Sequence, residues 1–236
     1  MDRRILRKEL MKMNRTFALG DLHGNYDLWK AILSKLDPTD KVICLGDVVD
    51  RGPKGYDILL EILADKRFTL LKGNHEDMFA KSIQEYNVTG FGDYNHYCNG
   101  GSSTLDAWIF NGANSGILRI INRLPLKYLY VNKNKDYIWL SHAGFNPDNI
   151  PKDNRIFLWN REHFYGWMDI EKHPNDYIIH GHTPIGHMKG KDDERPELGP
   201  YWYNDGHKCN IDFLAWKNNY IFLLDLDTFE AVEVRI

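Results

Sequence analysis

Apolar positions along the chain follow two alternating patterns. Short runs of β-forming residues occur in RTFAL, KVICL, RFTLL, DYIWL and DYIIH. Between the first three, apolar residues recur at helical spacing: Leu28, Trp29, Ile32, Leu33 and Leu36, then Ile58, Leu59, Ile62 and Leu63. Strands alternating with helices predict parallel βαβ units, hence an α/β fold. The region from Glu76 to Leu124 reads as mostly helical, through Met78, Phe79 and Ile83, then Leu105, Trp108 and Ile109, then Ile117, Leu118 and Ile121. A glycine-rich break, NGGSS, interrupts it, so a helical insertion is expected in the middle of the chain. His187 to His207 is rich in charges and breakers and reads as a long surface loop. From Asn210 onward, short strands with turn signals at Lys217-Asn218-Asn219 and Asp227-Thr228 predict a closing antiparallel meander.

Each of the five β-like runs is followed by a small or polar residue and then by a metal-ligating type. The set is Asp21, His23, Asp47, Asn74, His142 and His182. In parallel sheets, ligands bind beyond the carboxyl ends of the strands, so these six residues should converge on one edge. Taken singly, an aspartate after a strand is an ordinary helix N-cap. Six at one topological edge point instead to a metal centre, and the imidazole, carboxylate and amide mixture suits borderline divalent ions such as manganese, iron, zinc or cobalt. Six ligands exceed what one tetrahedral ion takes, so two ions are expected, with Asp47 as the bridge. Two ions roughly 3.5–4 Å apart can clamp an in-line displacement at phosphorus.

The stretch CLGDVVDRGPKGYD also places Asp50 and Arg51 beside Asp47. Arg51 offers a planar fork of donors to phosphoryl oxygens. In GNHED, Asn74 can give its side-chain oxygen to an ion while His75 faces the substrate as proton donor to the leaving group, oriented by Asp50.

GDLHGN, GDVVDRG, GNHE, HAG and GHTP together resemble the signature blocks of the calcineurin-like metallophosphoesterases, and the GDxxDRG and GNHE forms resemble the phosphoprotein phosphatase branch, particularly the bacterial and phage enzymes. The resemblance covers Phe17 to Pro184, with a weaker echo in NIDFLAW. It implies a central β-sandwich of mixed sheets flanked by helices. It also implies a first ion held by Asp21, His23 and Asp47, and a second held by Asp47, Asn74, His142 and His182. Arg51, Asn74 and His75 would meet the phosphate, and LWNRE supplies a second phosphate-binding arginine, Arg161. One departure concerns the pocket rim: Phe213 stands after Asp212 where relatives carry glycine.

Composition narrows the rest. The 236 residues are 43% hydrophobic and 27% charged, enough for one large domain, expected over residues 14–236 with residues 1–13 as a charged lead-in. A net charge of −3 with dispersed Lys and Arg gives no case for a nucleic-acid partner. Cys44, Cys98 and Cys209 form neither a disulfide framework nor a zinc motif, which fits the cytoplasm. No window of about 18 apolar residues exists, so no membrane partner is expected, and a monomer is.

The function implied is hydrolysis of phosphoserine or phosphothreonine, and of phosphotyrosine as an extension, by a metal-bound hydroxide, with manganese as the first choice of ion and iron or zinc next. The alternatives are a symmetrical dinucleoside-tetraphosphate or other small-molecule phosphate hydrolase, and a non-catalytic scaffold. The expected rim mixes Lys189, Lys191 and Arg195 with Asp192, Asp193, Glu194 and Glu197, which offers a polyphosphate no net positive field. Tyr201, Trp202 and Tyr203 either stack a base or anchor the loop on the core.

Overall fold

The structure is a computed structural model and describes residues 14–162, 168–188 and 199–236. The lead-in and the charged rim, with Lys189, Lys191, Asp192, Asp193, Glu194, Arg195 and Glu197, lie outside the described residues.

The first half alternates as its pattern predicts: β1 (Thr16–Leu19), α1 (Tyr26–Lys35), β2 (Lys41–Cys44), α2 (Gly55–Ala64), β3 (Phe68–Leu70) and α3 (Asn74–Thr89). Asn25 starts α1 by accepting the Leu28 N–H at 3.2 Å. Its apolar stripe of Leu28, Trp29 and Ile32 is buried, and the Trp29 ring lies 5.0 Å from that of Phe68. The insertion continues as α4 (Tyr94–Cys98), α5 (Ser102–Phe110) and α6 (Gly116–Asn122). Then come β4 (Lys127–Val131), β5 (Tyr137–Ser141), a 3₁₀ turn at Pro147–Asn149, α7 (Asn154–Trp159), β6 (Asp176–His180) and α8 (Ile185–Met188). The chain closes with β7 (Tyr201–Tyr203), β8 (Lys208–Asn210), α9 (Ala215–Asn218), β9 (Tyr220–Asp225) and β10 (Ala231–Arg235).

Two mixed five-stranded sheets result, ordered β10-β9-β1-β2-β3 and β4-β5-β6-β8-β7. In the first, β1, β2 and β3 are parallel and the β9–β10 hairpin is antiparallel. In the second, β5, β6 and β8 are parallel, with antiparallel edges β4 and β7. Phe17, Leu19 and Ile43 of one sheet and Ile138, Leu140 and Ile179 of the other share one buried core. Burial on both faces explains why the central strands read as continuous apolar runs rather than alternating ones.

Two expectations for the C-terminal third require correction. Tyr201–Tyr203, expected in a surface loop, is an edge strand pairing with β8, because its aromatic run meets an open sheet edge. The closing meander is also not one unit. Asn210 ends β8 in the second sheet, and the chain then crosses to the first sheet to form β9 and β10. Short strands of similar composition do not say which sheet they join. Among the described residues no helix is long and apolar enough to cross a membrane.

Candidate metal centre and active site

Parallel strands of both sheets end at the same rim. Asp21 and His23 follow β1, Asp47 follows β2, Asn74 follows β3, His142 follows β5 and His182 follows β6. All six are buried, none exposed by more than 8%. His23, Asp47, Asp50, Arg51 and His182 have positive φ, at 46°, 53°, 69°, 62° and 69°. Left-handed backbone at bulky residues carries strain and persists only where its surroundings over-determine it. Here the rim loops bind one another. The Leu22 and His23 N–H groups both donate to the Asp47 carbonyl, at 3.1 and 2.9 Å, and the Gly24 N–H donates to the Val48 carbonyl at 3.0 Å. Gly24 and Gly52 lie backbone to backbone, so a side chain on either would strike the other.

The donor atoms converge. His23 Nε2 lies 3.7 Å and His142 Nε2 lies 3.3 Å from Asp47 Oδ2. Asn74 Oδ1 sits 2.8 Å from His142 Nε2 and 3.0 Å from His182 Nδ1. Among the described residues, two three-residue groups have ligand atoms close enough to hold a metal ion, His23–Asp47–His75 and Asp47–His142–His182, and Asp47 belongs to both. The Asp21 carboxylate accepts the His182 N–H at 3.1 and 3.2 Å on the same rim. His182 Nε2 is buried without a hydrogen-bond partner, a cost that a native site relieves with an ion or water. Convergent oxygen and imidazole donors with an orphaned ring nitrogen fit divalent metal.

The pattern described for calcineurin-like phosphoesterases matches residues 15–218. The chain is a member of that family. It is 30% identical over 189 residues to serine/threonine-protein phosphatase 2 of Escherichia coli, covering 73% of this chain and 81% of that protein. It is 32% identical over 139 residues to the symmetrical bis(5'-nucleosyl)-tetraphosphatase of Haemophilus influenzae, covering 56% of this chain and 45% of that protein. A metallophosphoesterase from Sphaerobacter thermophilus has the same fold at 14% identity, with a TM-score of 0.58 over 95% of this chain and 88% of that one.

In this phosphoesterase the buried acids and imidazoles of the rim shift one another's protonation. Burial, reinforced by Asp212, pushes the Asp21 carboxyl well above its usual range. Burial likewise raises Asp212 to about 6. Burial would raise Asp47 too, but His142 and His75 beside it hold it well below the carboxylate range. Burial opposes charge on His142, yet Asp47 and Asp21 lift it to about 9. His23 falls to about 3 and His182 to about 2, both chiefly through burial.

Beside the ligands, His75 Nδ1 lies 2.8 Å from Asp50 Oδ2, and Arg51 Nη2 lies 3.3 Å from His75 Nε2. The Arg51 guanidinium also faces the Trp216 ring, 5.8 Å from its centroid. Arg161 is exposed just past α7. It follows Trp159 by two positions, and the Trp159 ring is 6.0 Å from that of His182; the Arg161 charge contributes to the low pKa of His182 behind burial and His142.

Four residues escaped the sequence reading. Glu76 is fully buried, and its carboxylate accepts N–H groups of Gly73, Asp47 and Val48 at 2.8, 2.8 and 2.9 Å. Its place three residues after Gly73, at N3 of α3, was a readable capping signal. Asp212 follows β8 as the ligands follow their strands, a repeat of the rule that pointed to them. Trp159 and His96 carried no local signal, since one lies on an amphipathic turn and the other inside the insertion.

Proposed function

We propose that residues 14–236 act as one unit that hydrolyses phosphoserine and phosphothreonine monoesters in proteins, using two divalent ions with Asp47 between them. Asp21 and His23 would complete one site; Asn74, His142 and His182 would complete the other. When bound, such ions supply Lewis acidity that ionises water near neutral pH and neutralises phosphoryl oxygens. Manganese is our first choice for assay.

The protein's own groups divide the remaining work. Arg51 and Arg161 bind phosphoryl oxygens through charge-assisted hydrogen bonds. Asp50 accepts the His75 Nδ1–H and stabilises the charge of the doubly protonated ring. His75 Nε2 then protonates the leaving alkoxide as the P–O bond breaks. By distance alone His75 joins His23 and Asp47 as a metal-holding group. Its short bond to Asp50 favours the proton-donor role instead.

The observation that carries the substrate class is the packing of the aromatic strand. Trp202 stacks its edge on Phe229 at 5.1 Å and meets Tyr177 at 6.4 Å, and the Tyr203 hydroxyl bonds His180 Nε2 at 2.8 Å. Rings half-buried against the core leave β7 less to offer a nucleobase. The phosphatase of Escherichia coli also aligns over more of both chains than the tetraphosphatase does.

A second reading keeps the dinucleotide substrate, on the strength of Trp159. It lines an open cleft of about 630 Å³ with Asn146, Asn149, Arg155, Ile156 and Asn160. The test is kcat/KM, with manganese, on a phosphothreonine peptide against diadenosine tetraphosphate. The peptide should win. A preference for the dinucleotide of more than about tenfold, roughly 1.4 kcal/mol in transition-state binding, overturns the protein substrate and leaves the phosphoesterase chemistry standing.

A further inference from the structure

The helical insertion reaches the catalytic loop at four points. The Asp50 N–H donates to Thr104 Oγ1 at 2.9 Å, the Arg51 N–H donates to the Gly100 carbonyl at 2.9 Å, and the Ser103 hydroxyl donates to the Gly52 carbonyl at 2.9 Å. The fourth contact is between side chains: His96 Nε2 lies 3.0 Å from Asp50 Oδ1. Asp50 and Arg51 are consecutive non-glycine residues at positive φ, a strained geometry that needs outside support. The stretch NHYCNGGSST supplies it by touching all three loop residues.

The His96 contact has chemical consequences that the backbone contacts lack. Asp50 is fully buried, and its two carboxylate oxygens are divided between two histidines, Oδ2 to His75 and Oδ1 to His96. An ionised carboxylate only accepts, so both ring nitrogens facing it carry protons. A carboxylate with one partner can swing about its Cβ–Cγ bond. With both oxygens held, its plane is fixed, and so is the line along which His75 presents Nε2. His96 is itself fixed. Its N–H donates to the Asp93 carboxylate at 2.9 Å, its ring lies 5.7 Å from that of Phe79, and Gly101 has no side chain because one would enter the His96 ring.

We infer that His96 is a positioning residue for proton transfer: it pins the second oxygen of Asp50 so that the Asp50–His75 pair is aligned toward the leaving group. The inference rests on His75 being the proton donor. Burial opposes ionisation of Asp50, but the bonds from His75 and His96 together hold it below the usual carboxylate range, in keeping with an anion shared by two donors.

The experiment compares the manganese-loaded full chain with its His96→Leu, His96→Gln, Gly101→Ala and His75→Gln variants. Two aryl phosphates are used, one with a strongly acidic leaving phenol and one with a weakly acidic phenol, and bound metal is measured alongside. Losing one charge-assisted hydrogen bond corresponds to roughly ten- to hundredfold. His96→Leu should therefore lower kcat by about that factor on the weakly acidic leaving group and only a few-fold on the strongly acidic one. KM and metal content should hold. His96→Gln, whose amide can donate to Asp50, should recover most of the loss. Gly101→Ala, which displaces the His96 ring without touching Asp50, should show the same dependence on leaving group and covers the case in which His96→Leu does not fold. Equal losses on both substrates in His96→Leu and Gly101→Ala, or no recovery in His96→Gln, overturn the positioning role while a selective loss in His75→Gln leaves the proton-donor reading intact. If His75→Gln itself loses rate equally on both substrates, the donor reading fails and this inference fails with it.

Discussion

Single residues on this rim do more than one job, and Asp47 shows it best. Its Oδ1 accepts the His75 N–H at 2.9 Å, while Oδ2 faces His142 and His23. Asp47→Asn keeps the shape and removes the negative charge that both proposed ion sites share. Bound metal should fall from about two equivalents to well under one, with activity lost by at least about a hundredfold, the scale on which metal-site partners count. Elemental analysis showing two equivalents and normal turnover would sink the bridging role. Arg161 is a contrast, because it is exposed. Arg161→Ala should weaken inhibition by inorganic phosphate and lower kcat/KM by about tenfold or more, one charge-assisted hydrogen bond's worth, with the thermal midpoint unmoved. Wild-type phosphate inhibition in this variant would remove Arg161 from the site.

At the scale of elements, the joint between β2 and α3 is the critical one. The first turn of α3 delivers Asn74 and His75, and Glu76 in that same turn binds the backbone that carries Asp47 and Val48. Glu76→Ala would leave buried N–H groups of Gly73, Asp47 and Val48 without partners. Each such loss costs about 1–3 kcal/mol, so the unfolding free energy should drop by about 3 kcal/mol or more, read as a lower urea midpoint at unchanged slope. Glu76→Gln keeps one accepting oxygen and should fall between. A midpoint within experimental error of wild type for Glu76→Ala would show that the loop is held elsewhere.

For the whole molecule, the candidate ligands come from both sheets: Asp21, His23, Asp47 and Asn74 from one, His142 and His182 from the other. Ions bound between them should tie the two sheets together. A ligand that binds only the folded state stabilises it by about 2.7 kcal/mol at a hundredfold excess over Kd. For a chain of this size a chelator should therefore lower the melting temperature by roughly 5–10 °C. Asp47→Asn should respond far less. Equal melting temperatures with and without chelator in the wild-type chain would count against metal between the sheets.

The sequence by itself marked the five strands that lead into the rim, because apolar runs flanked by breakers have few other solutions, and it marked the six candidate ligands, because in parallel sheets the residues after strand ends must share a rim. It also marked Asp50, Arg51 and His75, which sit within a few positions of those ligands. Tertiary structure alone decided which sheet each late strand joins, placing Tyr201–Tyr203 at an edge and splitting the expected meander between two sheets. It alone brought His96 onto Asp50, forty-six positions apart in the chain, and Trp159 beside His182. Neither contact has a period or a spacing to announce it. Local pattern reports what a residue does within its own strand or helix, whereas these side chains meet only after the insertion folds back on the rim and the two sheets pack face to face.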